Sequence, residues 1–221
     1  GGYHRKEITM SNFKTADIYN FRQLFFLDKF LIGHNGFIAG GCFKNIFNGE
    51  RVNDVDIFFN SMSDFENAKK FFEKQIKDKP NLWRKSYQNK KVWAVYSIKD
   101  KIRIELIKSV FGSPKKIISD FDFTITKFAY YSDYERIDED DYLAQFEVIY
   151  QEDYFEHLHT KRLVIDDNIP FPISTFNRSY KYQKYGYGLC RESKIKLLSS
   201  IYELPELDAI ELGLSLYDGK D

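Results

Sequence analysis

Two aspartates and two glycines, separated by a short segment, are the residues of this chain best suited to chemistry. Asp54 and Asp56 lie two positions apart in an apolar run, so both carboxylates point to one face if the run is a β-strand. Upstream, Gly40 and Gly41 would let a phosphate group approach the backbone closely. Carboxylate oxygens are the ligands that Mg²⁺ prefers when it bridges protein and phosphate. The pattern therefore predicts a site for a nucleoside triphosphate and its magnesium ion.

A third carboxylate would complete the set that two-metal nucleotidyl transfer requires. In that reaction one ion activates the attacking hydroxyl and the other steadies the leaving pyrophosphate. Glu105 lies opposite the apolar face of a later predicted strand, so we expect it to join Asp54 and Asp56 as a catalytic metal ligand. Asp100 and Asp120 lie nearby in sequence and could take its place. Mg²⁺ is the expected cofactor, with Mn²⁺ as the alternative.

The elements that must position these residues alternate between strands and helices. Period-two apolar patterns and turn residues predict strands at 37–39, 52–59, 82–87, 91–98, 102–107 and 144–150. Helical spacing predicts helices at 16–33, 42–47, 65–77, 175–185, 192–202 and 205–216, and a short helix that begins at Ser113-Pro114. We therefore expect an α+β fold, with a mixed-sheet catalytic domain at 1–169 and a small helical region at 170–221.

A basic and aromatic segment near the end of the chain is the densest candidate for phosphate binding. On a helix Arg178, Lys181 and Lys184 lie near one face, and tyrosines alternate with them. Such a face could hold a triphosphate, an RNA backbone or a stacked base. It could equally be a solvated helix whose tyrosines pack inward. Because the carboxylates need positive charge opposite them, we favour a nucleotide-binding role.

Three segments together resemble the DNA polymerase β-like nucleotidyltransferase superfamily, and within it the bacterial-type CCA-adding enzyme and poly(A) polymerase branch. They are GGCFKN at 40–45, DVDI at 54–57 and DFTITKFAY at 122–130. The resemblance covers roughly residues 37–131, and it extends to small phage and large-virus nucleotidyltransferase-like proteins. It implies a polymerase β-like core that moves a nucleotide from an NTP to a hydroxyl.

The resemblance also assigns roles to individual residues. It implies that the two aspartates of DVDI bind metal and that Glu105 matches a third, more variable carboxylate. The glycine pair would line the triphosphate site. Asp122 would support nucleotide binding together with Thr124, without performing chemistry.

Two departures from the family pattern concern the cationic residues. Lys44-Asn45 stands where the family has Arg-Asp, and Asp120-Phe121 stands where it has paired arginines. Lys44 can still meet a phosphate as a point charge, but the bidentate geometry of arginine is lost. The chain also has little room for the long helical body that measures tRNA in CCA-adding enzymes. The reaction type therefore transfers better than the acceptor.

Composition narrows the setting further. The 33 Lys and Arg residues balance 33 Asp and Glu, which argues against a protein that coats nucleic acid non-specifically. The two cysteines form neither a disulfide framework nor a metal set, and no apolar run approaches membrane length. We expect a cytoplasmic protein that does not enter a membrane.

These observations predict a nucleotidyltransferase that moves an NMP from an NTP to an acceptor hydroxyl. The favoured acceptor is RNA, such as a tRNA 3′ end. Two alternatives stay open. One is nucleotidylation of a protein or a small molecule, and the other is a catalytically inactive fold that binds a nucleotide or a partner protein.

Overall fold

A mixed β-sheet forms the centre of the computed structural model, which describes residues 12–133, 145–166 and 169–205. The strands within these ranges are β1 (Phe13–Asp17), β2 (Phe37–Ala39), β3 (Asp54–Phe59), β4 (Trp83–Gln88), β5 (Val92–Ser97), β6 (Ile102–Phe111), β7 (Phe128–Ser132), β8 (Phe146–Gln151), β9 (Arg162–Leu163) and β10 (Gly188–Leu189). The α-helices there are α1 (Cys42–Phe47), α2 (Met62–Asp78), α3 (Pro114–Ser119), α4 (Tyr154–His159), α5 (Pro172–Lys184) and α6 (Arg191–Tyr202). The fold is α+β, as the sequence predicts.

The order of the strands brings the two predicted acidic strands side by side. Among the described residues, eight strands form one sheet in the order β1-β8-β7-β2-β3-β6-β5-β4, and β9 pairs with β10 separately. β3 and β6 are parallel, whereas the other neighbouring pairs of the large sheet are antiparallel. The parallel pair requires a crossover, and α2 lies in it.

The crossover helix is fixed at its start and along its apolar face. The Ser61 side chain accepts a hydrogen bond from the backbone N–H of Asp64 at 3.2 Å, which caps α2. Phe65, Ala68 and Phe72 then recur at helical spacing and are buried. They belong to the same apolar cluster as the inward-facing residues of β3 and β6. The opposite face of these two strands carries polar residues at one end and Phe58 and Ile107, which join a second apolar cluster, at the other.

The predicted helix at 16–33 is wrong in part. Ala16 and Asp17 end β1, which pairs with β8, and two 3₁₀ helices follow at Ile18–Asn20 and Arg22–Phe30. The buried residues Leu24, Leu27 and Phe30 recur every three positions, which is the period of a 3₁₀ helix rather than of an α-helix. The predicted helix at 205–216 lies, except for Pro205, outside the described residues.

The two C-terminal helices pack on the same core as the sheet. Tyr182 of α5 and Leu197 of α6 are buried in the main apolar cluster, together with Phe43 of α1 and Tyr154 of α4. On the other side of the sheet, Ile117 and Ile118 of α3 pack against a second cluster that includes residues of β2 and β7. The division between a catalytic domain at 1–169 and a helical region at 170–221 stays a prediction.

Candidate nucleotide and metal site

The two aspartates of β3 share one face, as their spacing predicts. Val55, Ile57 and Phe59 are fully buried on the opposite face. The Asp54 side chain is 49% exposed. Asp56 lies deeper, and its Oδ1 atom is buried with no hydrogen-bond partner among the described residues. A buried carboxylate oxygen without a donor is costly, and a cation or a donor on a ligand would satisfy it.

The pKa of each aspartate is raised by its surroundings. Burial raises the pKa of Asp56 well above its usual value, and the neighbouring carboxyls of Glu105 and Asp54 raise it further. Burial and the charge of Glu105 also raise the pKa of Asp54, although Arg103 opposes this rise. The cluster therefore disfavours full ionisation in the free protein, and a divalent cation would remove that repulsion.

Glu105 lies beside the aspartates but is already engaged. The register of β3 and β6 pairs Asp56 with Glu105, which places the two residues on the same face. The Tyr87 hydroxyl of β4 donates to Glu105 Oε1 at 2.7 Å. Burial raises the pKa of Tyr87, and the bond to Glu105 adds to the rise. Glu105 does not line the cleft described below, so its role as a third metal ligand stays a prediction.

An arginine that the sequence analysis did not single out lies between the acidic residues. The same register pairs Asp54 with Arg103, whose Nη1 lies 3.3 Å from Asp54 Oδ1. Arg103 Nε also donates to the Ser86 hydroxyl at 3.2 Å. The alternation of β6 places Arg103 on the Glu105 face, but only the register of the sheet shows that it meets Asp54. Sequence alone does not give that register.

The two alternative third carboxylates are each paired with a lysine. Asp100 pairs with Lys29 and accepts a hydrogen bond from the Ser97 hydroxyl. Burial by itself would raise the pKa of Asp100, but these two contacts outweigh it and lower the pKa. Asp120 lines the cleft and pairs with Lys116. Among the described residues, no three His, Cys, Asp or Glu side chains are arranged to hold a metal ion.

A cleft of about 460 Å³ opens between the acidic end of β3 and helix α5. Its lining combines the glycine pair, the two aspartates, the Asp120–Asp122 segment and one face of α5. The residues of α5 and its C-cap that line it are Ser174, Thr175, Arg178, Lys181, Tyr182 and Tyr185. Carboxylates and cations therefore line the same cleft, which suits a polyanion that carries a divalent metal.

The glycine pair forms a tight turn at the base of this cleft. Gly40 has φ of +103°, a conformation that other residues rarely adopt, and its N–H donates to the Phe128 carbonyl at 3.1 Å. A Cβ on Gly41 would lie 3.4 Å from the Tyr182 hydroxyl. A side chain at Gly41 would thus crowd the floor of the cleft.

Lys44 is held in place by its neighbours. It is buried, its Nζ donates to Asn45 Oδ1 at 2.7 Å, and the same ammonium lies 4.5 Å from the centre of the Tyr185 ring. Asn45 is fixed in turn by its bond to the Arg51 carbonyl. Burial lowers the pKa of Lys44, against the effect of Glu50. Lys44 and Asn45, which stand where the resembling family has Arg-Asp, are therefore hydrogen-bonded to each other, and both line the cleft.

The third motif segment supports the α5 cations. Asp122 Oδ2 lies 2.9 Å from Arg178 Nε and accepts from the Thr175 hydroxyl at 3.3 Å. Lys181 lies one turn further along α5, also on the cleft. Lys184 is exposed and is not among the residues that line the cleft, so the structure does not bring it to the predicted site.

A buried histidine, which the sequence analysis did not assign to the site, positions the turn after Asp122. The Thr124 hydroxyl and His157 Nδ1 lie 2.7 Å apart, and Thr124 is fully buried. Burial lowers the pKa of His157 despite the nearby Asp153. Thr126, at the end of the same 3₁₀ turn, reaches the cleft. Residues 124–126 thus connect the core to the site.

The donor set fits a magnesium ion that is shared with phosphates. Asp54 and Asp56 offer carboxylate oxygens, and Asp56 Oδ1 lacks a partner among the described residues. Mg²⁺ usually takes one or two protein carboxylates and completes its shell with water and phosphate oxygens. Two aspartates without a third ligand are therefore sufficient, provided that a nucleotide supplies the remainder.

The comparisons with known proteins agree with this arrangement. Residues 15–161, well over half of the chain, match the family described as Gad2, Gabija anti-defense 2 family protein. This chain belongs to the Gabija anti-defense 2 family. A curated relative, Gabija anti-defense 2 of Bacillus phage SPbetaL7, is 26% identical over 168 residues. That match covers 76% of this chain but only 37% of the relative.

Solved structures show the same fold. The Thermotoga maritima CCA-adding enzyme complexed with tRNA superimposes with a TM-score of 0.56 at 16% identity, over 86% of this chain and 46% of that one. A CCA-adding enzyme in complex with ATP gives a TM-score of 0.58, also at 16% identity, and covers the same shares of the two chains. At this identity the likeness shows the fold alone. The expected fold is therefore confirmed: the core of this chain has the same fold as the corresponding part of these CCA-adding enzymes.

Several members of the site could not be found by motif. Tyr182 and Tyr185 line the cleft because α5 presents every third or fourth residue to it, and the tyrosine-rich segment was a signal for this. Tyr87 and Arg103 meet the carboxylates only through strand pairing.

No helix of the described residues is long and apolar enough to cross a membrane.

Proposed function

We propose that this chain binds an NTP in the cleft and transfers its NMP to an acceptor hydroxyl, releasing pyrophosphate. The observation that carries the proposal is that carboxylates and cations line the same cleft. Asp54 and Asp56 of β3 line it, and so do Lys44 of α1 and Arg178 and Lys181 of α5. A triphosphate with its metal matches both kinds of charge at once.

Each group of cleft residues has its own role in the proposed reaction. Asp54 and Asp56 would hold Mg²⁺, or Mn²⁺ in its place, which when bound supplies charge neutralisation at the phosphates and activation of the attacking oxygen. Lys181 and Arg178 would bind phosphate oxygens from the α5 side, and Asp122 keeps Arg178 in position. The left-handed turn at Gly40 keeps side chains away from the phosphates.

The family and the fold each bear on the choice of acceptor. The relatives carry an anti-defense description, so we place the reaction in the interaction between a phage and a bacterial defence system. A solved neighbour of this fold is described in complex with tRNA, which keeps RNA as the favoured acceptor. Transfer to a protein or to a small molecule is the alternative outcome of the same chemistry.

A second function is favoured by one observation. Arg103 is ion-paired with Asp54, and Tyr87 is bonded to Glu105. If these contacts persist with NTP bound, neither Asp54 nor Glu105 is available to a metal ion. The chain would then be a nucleotide-binding protein that performs no transfer.

A transfer assay separates these functions. Each of the four NTPs, labelled at the α-phosphate, is incubated with Mg²⁺ and with RNA, a bacterial protein extract or a small-molecule fraction. The proposal predicts label in RNA, and label in protein would identify the alternative acceptor. Saturable Mg·NTP binding without transfer to any acceptor would establish the second function.

Matched variants identify the site in that assay. Asp54→Asn combined with Asp56→Asn should abolish transfer while the thermal unfolding transition is kept. Asp78→Asn, at the exposed end of α2, is the control. Lys181→Ala should weaken NTP affinity, whereas Lys74→Ala on α2 should not. Full transfer by the double Asp variant would overturn the metal assignment.

A further inference from the structure

A row of side chains leads from the acidic pair to the free edge of the sheet. Strand registers pair Asp54 of β3 with Arg103 of β6, Arg103 with Tyr96 of β5, and Tyr96 with Arg84 of β4. Residues paired directly across strands project from the same face. With neighbouring strands about 4.8 Å apart, the row extends roughly 14 Å from Asp54 to Arg84.

Two arginine–tyrosine contacts make this row cationic and aromatic. The Arg84 guanidinium lies over the Tyr96 ring, 4.6 Å from its centre. The Arg103 guanidinium lies 5.6 Å from the centre of the Tyr87 ring. An arginine stacked on a ring can still direct its N–H groups at phosphate oxygens. Arg84 is placed to do so, whereas Arg103 already donates to Asp54 and Ser86 and would have to exchange one of these bonds for a phosphate.

The surface around the row is open to a ligand. Arg84 is exposed, Tyr87 is 37% exposed and the Arg103 side chain is 43% exposed. α2 buries its apolar residues in the main core with the inward side chains of β3, β5 and β6, which leaves the row on the opposite face. Lys99 and Lys101, in the turn between β5 and β6, add exposed positive charge at this end of the sheet.

We infer that this row of Arg103, Tyr96 and Arg84, together with the neighbouring Tyr87, binds a single-stranded nucleic acid whose end reaches the Asp54–Asp56 pair. The inference rests on the proposed function, because it names the acceptor of that same site. Arginines bind the backbone phosphates, and a tyrosine ring stacks on an unpaired base. A duplex keeps its bases stacked on each other and cannot use the rings, so the ligand is a single strand.

The charge pattern favours a nucleic acid over a protein partner. The chain has no net charge, yet this face concentrates arginines and lysines beside the site. Its acidic members, Asp54 and Glu105, lie at the inner end of the row, where the reacting hydroxyl and the metal would be. The outer part of the row thus attracts a polyanion, and the inner part would meet its terminus.

Fluorescence anisotropy with a short labelled single-stranded RNA tests the inference. Arg84→Gln should weaken binding several-fold and reduce the slope of log K against log salt by about 0.7, as expected for the loss of one phosphate contact. Tyr87→Ala should weaken binding roughly tenfold, and Tyr87→Phe should restore it because the ring, not the hydroxyl, makes the stack. Arg22→Gln, an exposed arginine on a 3₁₀ helix, is the matched control, and thermal unfolding confirms that each variant folds.

The outcomes separate this inference from the proposed function. If RNA binds and neither Arg84→Gln nor Tyr87→Ala changes its affinity, the row is not the binding surface. Mg·NTP binding without any RNA binding, or equal affinity for a duplex, would overturn the inference and leave the proposed function in place. RNA binding that depends on the row, with no Mg·NTP binding in the cleft, would overturn the proposed function alone.

Discussion

The buried ion pair between Lys127 and Asp166 gives the sharpest stability prediction. Lys127 Nζ lies 2.7 Å from Asp166 Oδ1, and the lysine side chain has no exposed area, whereas the aspartate is 15% exposed. Lys127 directly follows the 3₁₀ turn at residues 124–126, which reaches the cleft. The pair therefore fastens this turn to the segment that follows β9.

Asp166→Asn removes the negative charge and leaves an ammonium group that water cannot reach. The ammonium then keeps the Ser119 carbonyl at 3.5 Å, a long hydrogen bond, as an acceptor. Removal of one partner from a buried pair destabilises by about 3–5 kcal/mol. Because Asp166 is partly hydrated, we expect about 3 kcal/mol. In a domain of this size that corresponds to a fall in Tm of about 6–12 °C.

Thermal denaturation followed by circular dichroism measures the effect. The matched control is Glu73→Gln, which breaks the exposed pair between Lys69 and Glu73 on α2. That change should cost about 0.3–0.5 kcal/mol, or about 1–2 °C. If Asp166→Asn melts within about 2 °C of the wild type, the ammonium is satisfied in another way and the reasoning fails.

Three further predictions follow from the site. The folded pKa of Asp56 is raised by burial and by the neighbouring carboxyls, so Asp56→Asn should stabilise the protein as pH rises above the usual aspartate value of 3.8, and not below it. Urea unfolding across pH checks this, and a gain that is constant with pH would contradict it. Burial lowers the pKa of His157, so stability should fall as pH drops below about 6.5, and His157→Gln should reduce that dependence in thermal melts. The buried His34, whose pKa is lowered to about 4, accounts for the dependence that remains. Lys44→Met should weaken Mg·ATP binding about tenfold in calorimetry, because a charged hydrogen bond to phosphate is lost, and an unchanged Kd would place the phosphates elsewhere.

The fold could be predicted well where the apolar pattern has one clear period. The alternation in β3 and β6 and the capped start of α2 gave correct elements and correct faces. The segment at 16–33 was harder, because buried residues three and four apart fit both helix types and the first residues pair with β8. β1 itself is an edge strand that buries little, so its sequence carries a weak pattern.

The site was predictable only in part, because motifs give residues and not their partners. Asp54, Asp56 and the glycine pair meet at the cleft as expected. Arg103 reaches Asp54 through strand register, and Tyr87 reaches Glu105 from β4, and neither contact follows from sequence spacing. The helical period predicted that Arg178, Lys181 and Lys184 share one face of α5. Arg178 and Lys181 line the cleft, whereas Lys184 does not.

A crystal structure with Mn²⁺ and a non-hydrolysable NTP analogue tests the central claim most directly. The proposed function predicts anomalous density for the metal bonded to Asp54 and Asp56, with the triphosphate between Gly40 and the Lys181 side of the cleft. In that complex Arg103 should have released Asp54. Metal density away from both aspartates, or an analogue bound outside the cleft, would contradict the proposed function.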